Sequence, residues 1–322
     1  MHIPDGYLSP KTSAAFFAVM LPVWYIASRR VEAALKLKEL PLLALCAAFT
    51  FVIMMFNIPI PGGSSGHMIG SVIVAIVLGP WAGVIALSLA VILQAFLFGD
   101  GGVTAIGANS FNMAFVMSFG GYYVYRAVAF GEPGVVRRSA AAGVAAYIAV
   151  NLAALAVAIE LGIQPMIASG LDGRPLYAPY PLSISIPAMM APHLLFFGPV
   201  EALGTALVIS YIHKTSGELL KTPGLKPLWA FLALLIILAP LGLLASGTPW
   251  GEWGKGEIKD IVGYVPEGME RFGDLWNGIL PGYAMPGFES RLGSTAFYII
   301  SALIGSLAVV FIIFLWGRIW RR

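Results

Sequence analysis

The stretch MIGSVIVAIVLGPWAGVIALSLAVILQAFLF, residues 68–98, carries no charged side chain and is too long for one untilted membrane helix. A helix needs about 20 predominantly apolar residues to cross the hydrocarbon core. Gly79-Pro80 falls inside the run, and a Gly-Pro pair breaks a helix because proline lacks the amide hydrogen and disfavours a helical residue before it. The reading is therefore two spans, 68–78 and 81–98. The whole chain supports a membrane class: of 322 residues, 59% are hydrophobic and 11% are charged, against about a quarter charged in soluble domains. The mean hydropathy is +0.85.

Working outward, apolar runs predict spans at 12–28, 40–58, 68–78, 81–98, 104–125, 139–160, 183–212, 228–245 and 294–317. The expectation is an all-α polytopic protein of about nine helices, seven plus two. The distribution of basic residues supports the split at Gly79-Pro80. With the N-terminus outside, the cytoplasmic loops hold Arg29, Arg30, Lys36, Lys38, Arg126, Arg137, Arg138, Lys214, Lys221, Lys226, Arg318, Arg321 and Arg322, the majority of the 19 Lys and Arg. One span in place of two puts the Arg126 and Lys214 loops outside and spoils the pattern. The C-terminus is then cytoplasmic, and a multi-pass protein of a prokaryotic plasma membrane is expected. No cleavable signal peptide is evident, because Arg29-Arg30 follows the first apolar span.

Three regions follow: 1–213 as a main membrane domain, 214–226 as a cytoplasmic linker, and 227–322 as a two-helix domain. The last carries a polar outer segment at about 246–292 that reads as an irregular cap, with too few apolar residues for a core of its own. The net charge of +3 is topological and implies no nucleic acid. A single cysteine, Cys46, excludes a disulfide framework and a cysteine metal cluster. No G-x-x-x-x-G-K-[ST] occurs, so the chain is not its own ATPase.

The first residues, Met-His-Ile-Pro-Asp-Gly-Tyr-Leu-Ser-Pro, hold chemistry in a very short space. The amine of Met1, the amide nitrogen of His2 and its ring Nδ1 can close fused five- and six-membered rings on one metal. Ni²⁺ and Cu²⁺ can displace the amide proton and impose a square plane. On the dipeptide alone, an ordinary exposed His2 is the plainer reading. A second histidine on the same expected face changes that. His67 ends the loop Pro-Ile-Pro-Gly-Gly-Ser-Ser-Gly-His at 59–67, where glycines let the backbone turn tightly, and it can supply a fourth nitrogen.

Other polar residues lie inside or beside the spans. His193 and Glu201 are eight residues apart, a little over two helical turns, with Pro199 between them to bend the helix; they read as structural or coupling groups. Asn109, Ser110 and Asn112 read either as groups orienting His2 or His67 or as helix-to-helix hydrogen bonds. Glu252, in Trp-Gly-Glu-Trp, reads as a solvated carboxylate in an interfacial aromatic belt.

These residues resemble the substrate-capture membrane component of nickel/cobalt energy-coupling-factor (ECF) transporters. The resemblance rests on Met-His-Ile-Pro-Asp-Gly-Tyr-Leu at the N-terminus, Gly-Ser-Ser-Gly-His ending at His67, Gly-Ala-Asn-Ser-Phe-Asn-Met at 107–113 and the His193 to Glu201 stretch, and it covers about 1–220. Residues 240–322 resemble the small accessory subunit of the same systems, fused to the first, with Pro-Leu-Gly-Leu where Pro-Asp-Gly-Leu is usual. The resemblance implies capture of Ni²⁺, or Co²⁺, by nitrogens of Met1, His2 and His67. It also implies a separate transmembrane coupling protein and cytoplasmic ATPase subunits as partners, and no enzymatic activity of the chain's own. The competing readings are a metal-dependent membrane enzyme using His193 and Glu201, and a proton-coupled metal permease.

Overall fold

The structure is a computed structural model that describes residues 1–60, 64–131, 134–219, 225–245, 247–288 and 290–319. The chain is helical almost throughout. Its helices are α1 (Pro10–Ala34), α2 (Leu40–Met54), α3 (Ser71–Leu78), α4 (Pro80–Leu93), α5 (Ile106–Ser110), α6 (Met117–Val128), α7 (Val135–Gly162), α8 (Gln164–Ile167), α9 (Leu182–Pro192), α10 (Gly198–Leu219), α11 (Lys226–Leu238), α12 (Lys255–Val262), α13 (Glu267–Phe272) and α14 (Arg291–Ile319). Strands β1 (Ile58–Ile60) and β2 (Ser64–Gly66) form an antiparallel hairpin with Ile58 opposite Gly66. Residues 220–224 of the expected linker lie outside the described residues, as do 61–63 of the histidine loop.

Among the described residues, six stretches are long and apolar enough to cross a membrane: Pro10–Ala34, Pro80–Phe98, Val135–Ile167, Leu182–Lys214, Lys226–Leu244 and Arg291–Ile319. Helix α2 is apolar but shorter. In α4 and α7 most residues of the apolar window are buried, whereas few are in α1 and α11. The first two thus form the centre of the bundle, and Leu21, Tyr25, Leu234 and Ile237 on the outer helices point away from it. Helices suit this environment because they satisfy their own backbone polar groups where water cannot.

Several boundaries differ from the apolar runs, each for a backbone reason. The run 40–58 ends its helix at Met54, and Pro59 lies in a strand. Helix α3 starts only at Ser71, after Gly70 adopts a left-handed φ of 75°. The run 104–125 is divided by a π-helical turn, Phe111–Val116, between α5 and α6. Similar turns occupy Gln94–Phe98 after α4 and His193–Phe197 between α9 and α10. The last is the local answer to Pro199, whose ring would clash with the carbonyl of Leu195 in a regular helix.

Small residues let the helices approach closely, as is common where lipid removes the hydrophobic drive for association. Buried Ala141, Ala142, Ala145, Ala146, Ala149, Ala153 and Ala154 line α7, which packs against α6, α9 and α10. Helix α14 packs on α2 at Gly305, where an added Cβ would lie 2.0 Å from the ring of Phe51. A buried carboxylate ties α10 to the histidine loop. Glu201 Oε2 accepts the N–H of Ile69 and Oε1 that of Gly70, each at 2.8 Å. These amides stand just before α3, where a helix has unsatisfied donors and the positive end of its dipole.

Gly305→Val is expected to cost about 1–3 kcal/mol through overpacking, read as a lower thermal midpoint in detergent, and Phe51→Leu in the same chain should recover part of it. Glu201→Ala leaves two buried N–H groups without acceptors and is expected to cost about 1–3 kcal/mol. Amide hydrogen exchange at Ile69 and Gly70 should rise in that variant before exchange in α7 does.

Candidate metal-capture site

The N-terminal segment has no regular structure before Ser9, yet it is packed inside the protein: Ile3 and Tyr7 are each 1% exposed and His2 is 3% exposed. Buried backbone of this kind needs partners for its polar groups, and the surrounding helices supply them. Asn109 grips Ile3 twice, its Oδ1 accepting the Ile3 N–H at 2.8 Å and its Nδ2 donating to the Ile3 carbonyl at 3.1 Å. The Gly102 N–H donates to the same carbonyl at 2.9 Å. Asp5 accepts the N–H groups of Val103 (3.0 Å) and Thr104 (2.8 Å) and the Thr104 hydroxyl. Gly102 is required here, because a Cβ on it would fall 2.3 Å from the Asp5 nitrogen. Further on, the Ser9 N–H reaches Gln164 Oε1 at 3.0 Å. Ser9 then caps α1, with Pro10 as the first helical residue, a position where its missing N–H costs nothing.

This packing brings the nitrogens of both histidines together. His67 Nε2 lies 3.4 Å from His2 Nδ1, with ring centroids 5.1 Å apart. The other contacts of each ring bear on its tautomer. His67 Nδ1 is 3.0 Å from the Met68 carbonyl, which only accepts, so Nδ1 carries the hydrogen and Nε2 presents a lone pair. His2 Nε2 is 3.2 Å from Gln94 Oε1 and its Nδ1 is 3.3 Å from Asp100 Oδ1, so both ring nitrogens of His2 face acceptors, and a hydrogen on Nδ1 also lies toward His67 Nε2. A cation that displaces that hydrogen finds two ring nitrogens side by side. Adjacent nitrogens on one metal with bonds of about 2 Å stand roughly 2.8 Å apart, so closure by a few tenths of an ångström suffices. Burial, then the charge of the N-terminal amine and of His2, hold the His67 imidazole well below its usual range, keeping it neutral and available.

Two carboxylates border the nitrogens. One oxygen of Glu252, Oε1, is 3.1 Å from the Met1 amine and accepts the His2 N–H at 3.1 Å. Asp100 Oδ1 lies 3.3 Å from His2 Nδ1, and its Oδ2 accepts the Tyr283 hydroxyl at 2.5 Å. Burial and that carboxylate raise the Tyr283 phenol, so it stays a donor. Among the described residues, no three His, Cys, Asp or Glu side chains are grouped so as to hold a metal. With the backbone nitrogens of Met1 and His2 counted beside the two rings, four nitrogens stand together.

The remaining candidate residues fall elsewhere. His193 Nδ1 donates to the Met189 carbonyl at 2.7 Å, and its ring leans on Phe197. It lines a small cavity with Met1, His67 and Glu252. Glu201 is engaged with Ile69 and Gly70, so it supports the loop that bears His67 and is no free base. Asn112 donates to Glu160 Oε2 at 2.9 Å, away from the histidines, and the buried Ser110 hydroxyl has no hydrogen-bond partner among the described residues. Glu252 is no solvated belt residue, since it touches the amine and amide. Sequence reading passed over Gln94, Asp100 and Glu160 as well. Only Gln94, a polar residue inside an apolar run, stood out enough to have been found.

Comparison with known proteins agrees with this architecture. Residues 2–219 match the family described as the cobalt uptake substrate-specific transmembrane region, and residues 226–322 match the PDGLE domain. The chain is 44% identical to the fused nickel transport protein NikMN of Rhodobacter capsulatus, with 96% of this chain and 95% of that one covered. It is 42% identical to the probable fused nickel transport protein LarMN of Lactiplantibacillus plantarum, over 97% and 96%. A crystal structure titled as a transition metal transporter superposes with a TM-score of 0.63 at 48% identity, covering 68% of this chain and 96% of that one. The chain belongs to the cobalt uptake substrate-specific transmembrane family, carries a PDGLE domain in the same polypeptide, and is a multi-pass protein of the prokaryotic cell membrane.

Proposed function

We propose that this chain captures Ni²⁺, with Co²⁺ as a second substrate, through the Met1 amine, the His2 amide nitrogen, His2 Nδ1 and His67 Nε2. The observation that carries the reading is the approach of two ring nitrogens to 3.4 Å beside the amine and amide that Glu252 brackets. Four nitrogens in one plane suit low-spin Ni²⁺, whereas Zn²⁺ prefers a tetrahedron. The names of the relatives, nickel transport proteins in two bacteria, point the same way, and the family description names cobalt. As a transport component, the chain is assigned no reaction. His193 and Glu201 are both engaged by backbone groups, which weighs against an enzyme built on them.

In this reading the chain crosses the membrane nine times, with Met1 and the site outside and the C-terminus in the cytoplasm. Residues 1–213 form the metal-capture domain, 214–226 a cytoplasmic linker, and 227–322 an accessory domain with its polar segment over the site. The captured metal passes inward when a transmembrane coupling protein and cytoplasmic ATPases of an ECF-type transporter act on this subunit. A cavity of about 340 Å³ lined by His2, His67, Asp100, Glu252 and Tyr283, among others, gives the ion its approach.

His2→Ala removes a ring nitrogen and should abolish Ni²⁺ in the purified protein, measured by metal analysis, while the chain stays folded by its thermal midpoint. Undiminished binding would move the site elsewhere. Metal must displace protons from the amine and the amide, so acidification opposes binding. Affinity measured by calorimetry should fall steeply from pH 8 to pH 5, with proton release visible as a dependence on buffer ionisation enthalpy.

A further inference from the structure

Resting on the capture reading, we infer that Glu252 of the accessory domain is a positioning residue that prepares the N-terminal chelate for metal and then leaves it. A single oxygen, Oε1, stands 3.1 Å from the Met1 amine and 3.1 Å from the His2 amide nitrogen. One acceptor can serve both donors only if the two nitrogens face the same side. That is the arrangement a five-membered chelate ring requires. Untethered, a chain terminus rotates freely about its backbone bonds and spends most of its time with these nitrogens apart; ordering it beforehand removes that entropy from the capture step.

The carboxylate is itself held in place. Glu252 follows a turn in which its N–H donates to the Pro249 carbonyl at 3.0 Å. Trp250 and Trp253 flank it and meet each other and Tyr180 at ring separations of 5.5–5.8 Å. The Trp253 carbonyl accepts the Tyr7 hydroxyl at 2.9 Å, which pins this turn to the N-terminal segment it serves. On the other side of His2, Tyr283 of the same polar segment holds Asp100. Tyr283 is the one non-glycine residue with positive φ, 62°, among the described residues, a costly conformation that persists where surrounding contacts demand it. The accessory domain thus grips the site from two sides.

Glu252 does not stay once metal is bound. Its oxygen lies in the bite of the two nitrogens, the place the metal takes, and a metal-bound amide nitrogen has no hydrogen left to donate to it. Low-spin Ni²⁺ in a square plane has little use for an axial oxygen. Glu252 therefore acts on the rate of capture and leaves the bound complex alone.

The test is stopped-flow association and dissociation of Ni²⁺, supplied as the chloride, with the full-length chain in detergent. Glu252→Ala should slow association roughly tenfold, the lower end of what loss of a group supporting metal ligands costs. The dissociation rate and the absorption band of bound Ni²⁺ should stay as in the native chain. Glu252→Gln keeps an acceptor oxygen at the same reach and should recover most of the rate. Glu252→Ser serves as the truncation if the alanine chain does not fold. Unchanged or faster association in the truncated chain overturns the inference, as does a shifted band or faster dissociation, which would make Glu252 a ligand. Failure of glutamine to rescue overturns it also, since charge and not position would then be at work. Absence of Ni²⁺ binding by the native chain overturns the capture reading itself.

Discussion

The burial of an irregular N-terminal segment is the constraint around which this molecule is built. A strand or helix brings its own hydrogen bonds into a dry interior; residues 1–8 bring only open N–H and C=O groups. Each must meet a specific partner or cost a few kcal/mol. The partners come from distant parts of the chain: Asn109 to Ile3, the 102–104 turn to Ile3 and Asp5, Gln164 to Ser9, and Ala178 to the Tyr7 carbonyl. The amine at the end of this segment is thereby placed to within hydrogen-bonding precision, something a free terminus never achieves.

The helices around it carry irregularities at the same level. π-Helical turns at Gln94–Phe98, Phe111–Val116 and His193–Phe197 interrupt three spans near the buried segment. Such turns redirect side chains by inserting a residue into the helical register. The first places Gln94 against His2, and the third brings Phe197 beneath Gly66, where a Cβ would collide with the ring at 2.5 Å. The hairpin before His67 is thus pressed on the bundle from below and tied through Glu201 to α10. Helix α10 is in this way joined to the segment that follows His67. Glu201 supplies its hydrogen bonds, and Met68 packs on Gly204 beside it.

The polar segment near 247–288 closes the site without a large core of its own. Ile258, Met269 and Tyr283 join the main apolar core, Tyr283 stacks on Phe98, and hydrogen bonds to the other half add to this: Leu280 N–H to the Leu97 carbonyl, Gly268 N–H to that of Leu176, and the Trp276 indole to that of Phe96.

By itself the sequence determined the membrane class, the helical runs and the break at Gly79-Pro80, because hydropathy and proline act within a few residues. It also determined that three nitrogen donors lie within one dipeptide, a property of covalent geometry alone. The lengths of the spans were less legible, since Gly70 and Pro59 moved boundaries that apolar composition alone does not mark. What only the tertiary structure decided is which groups meet those donors. His67 lies 65 residues from His2, Asn109 lies 106 from Ile3, and Glu252 lies 250 from His2. No periodicity relates such positions. They meet because burying the N-terminal backbone leaves donors and acceptors that only helices and loops brought together by packing can satisfy.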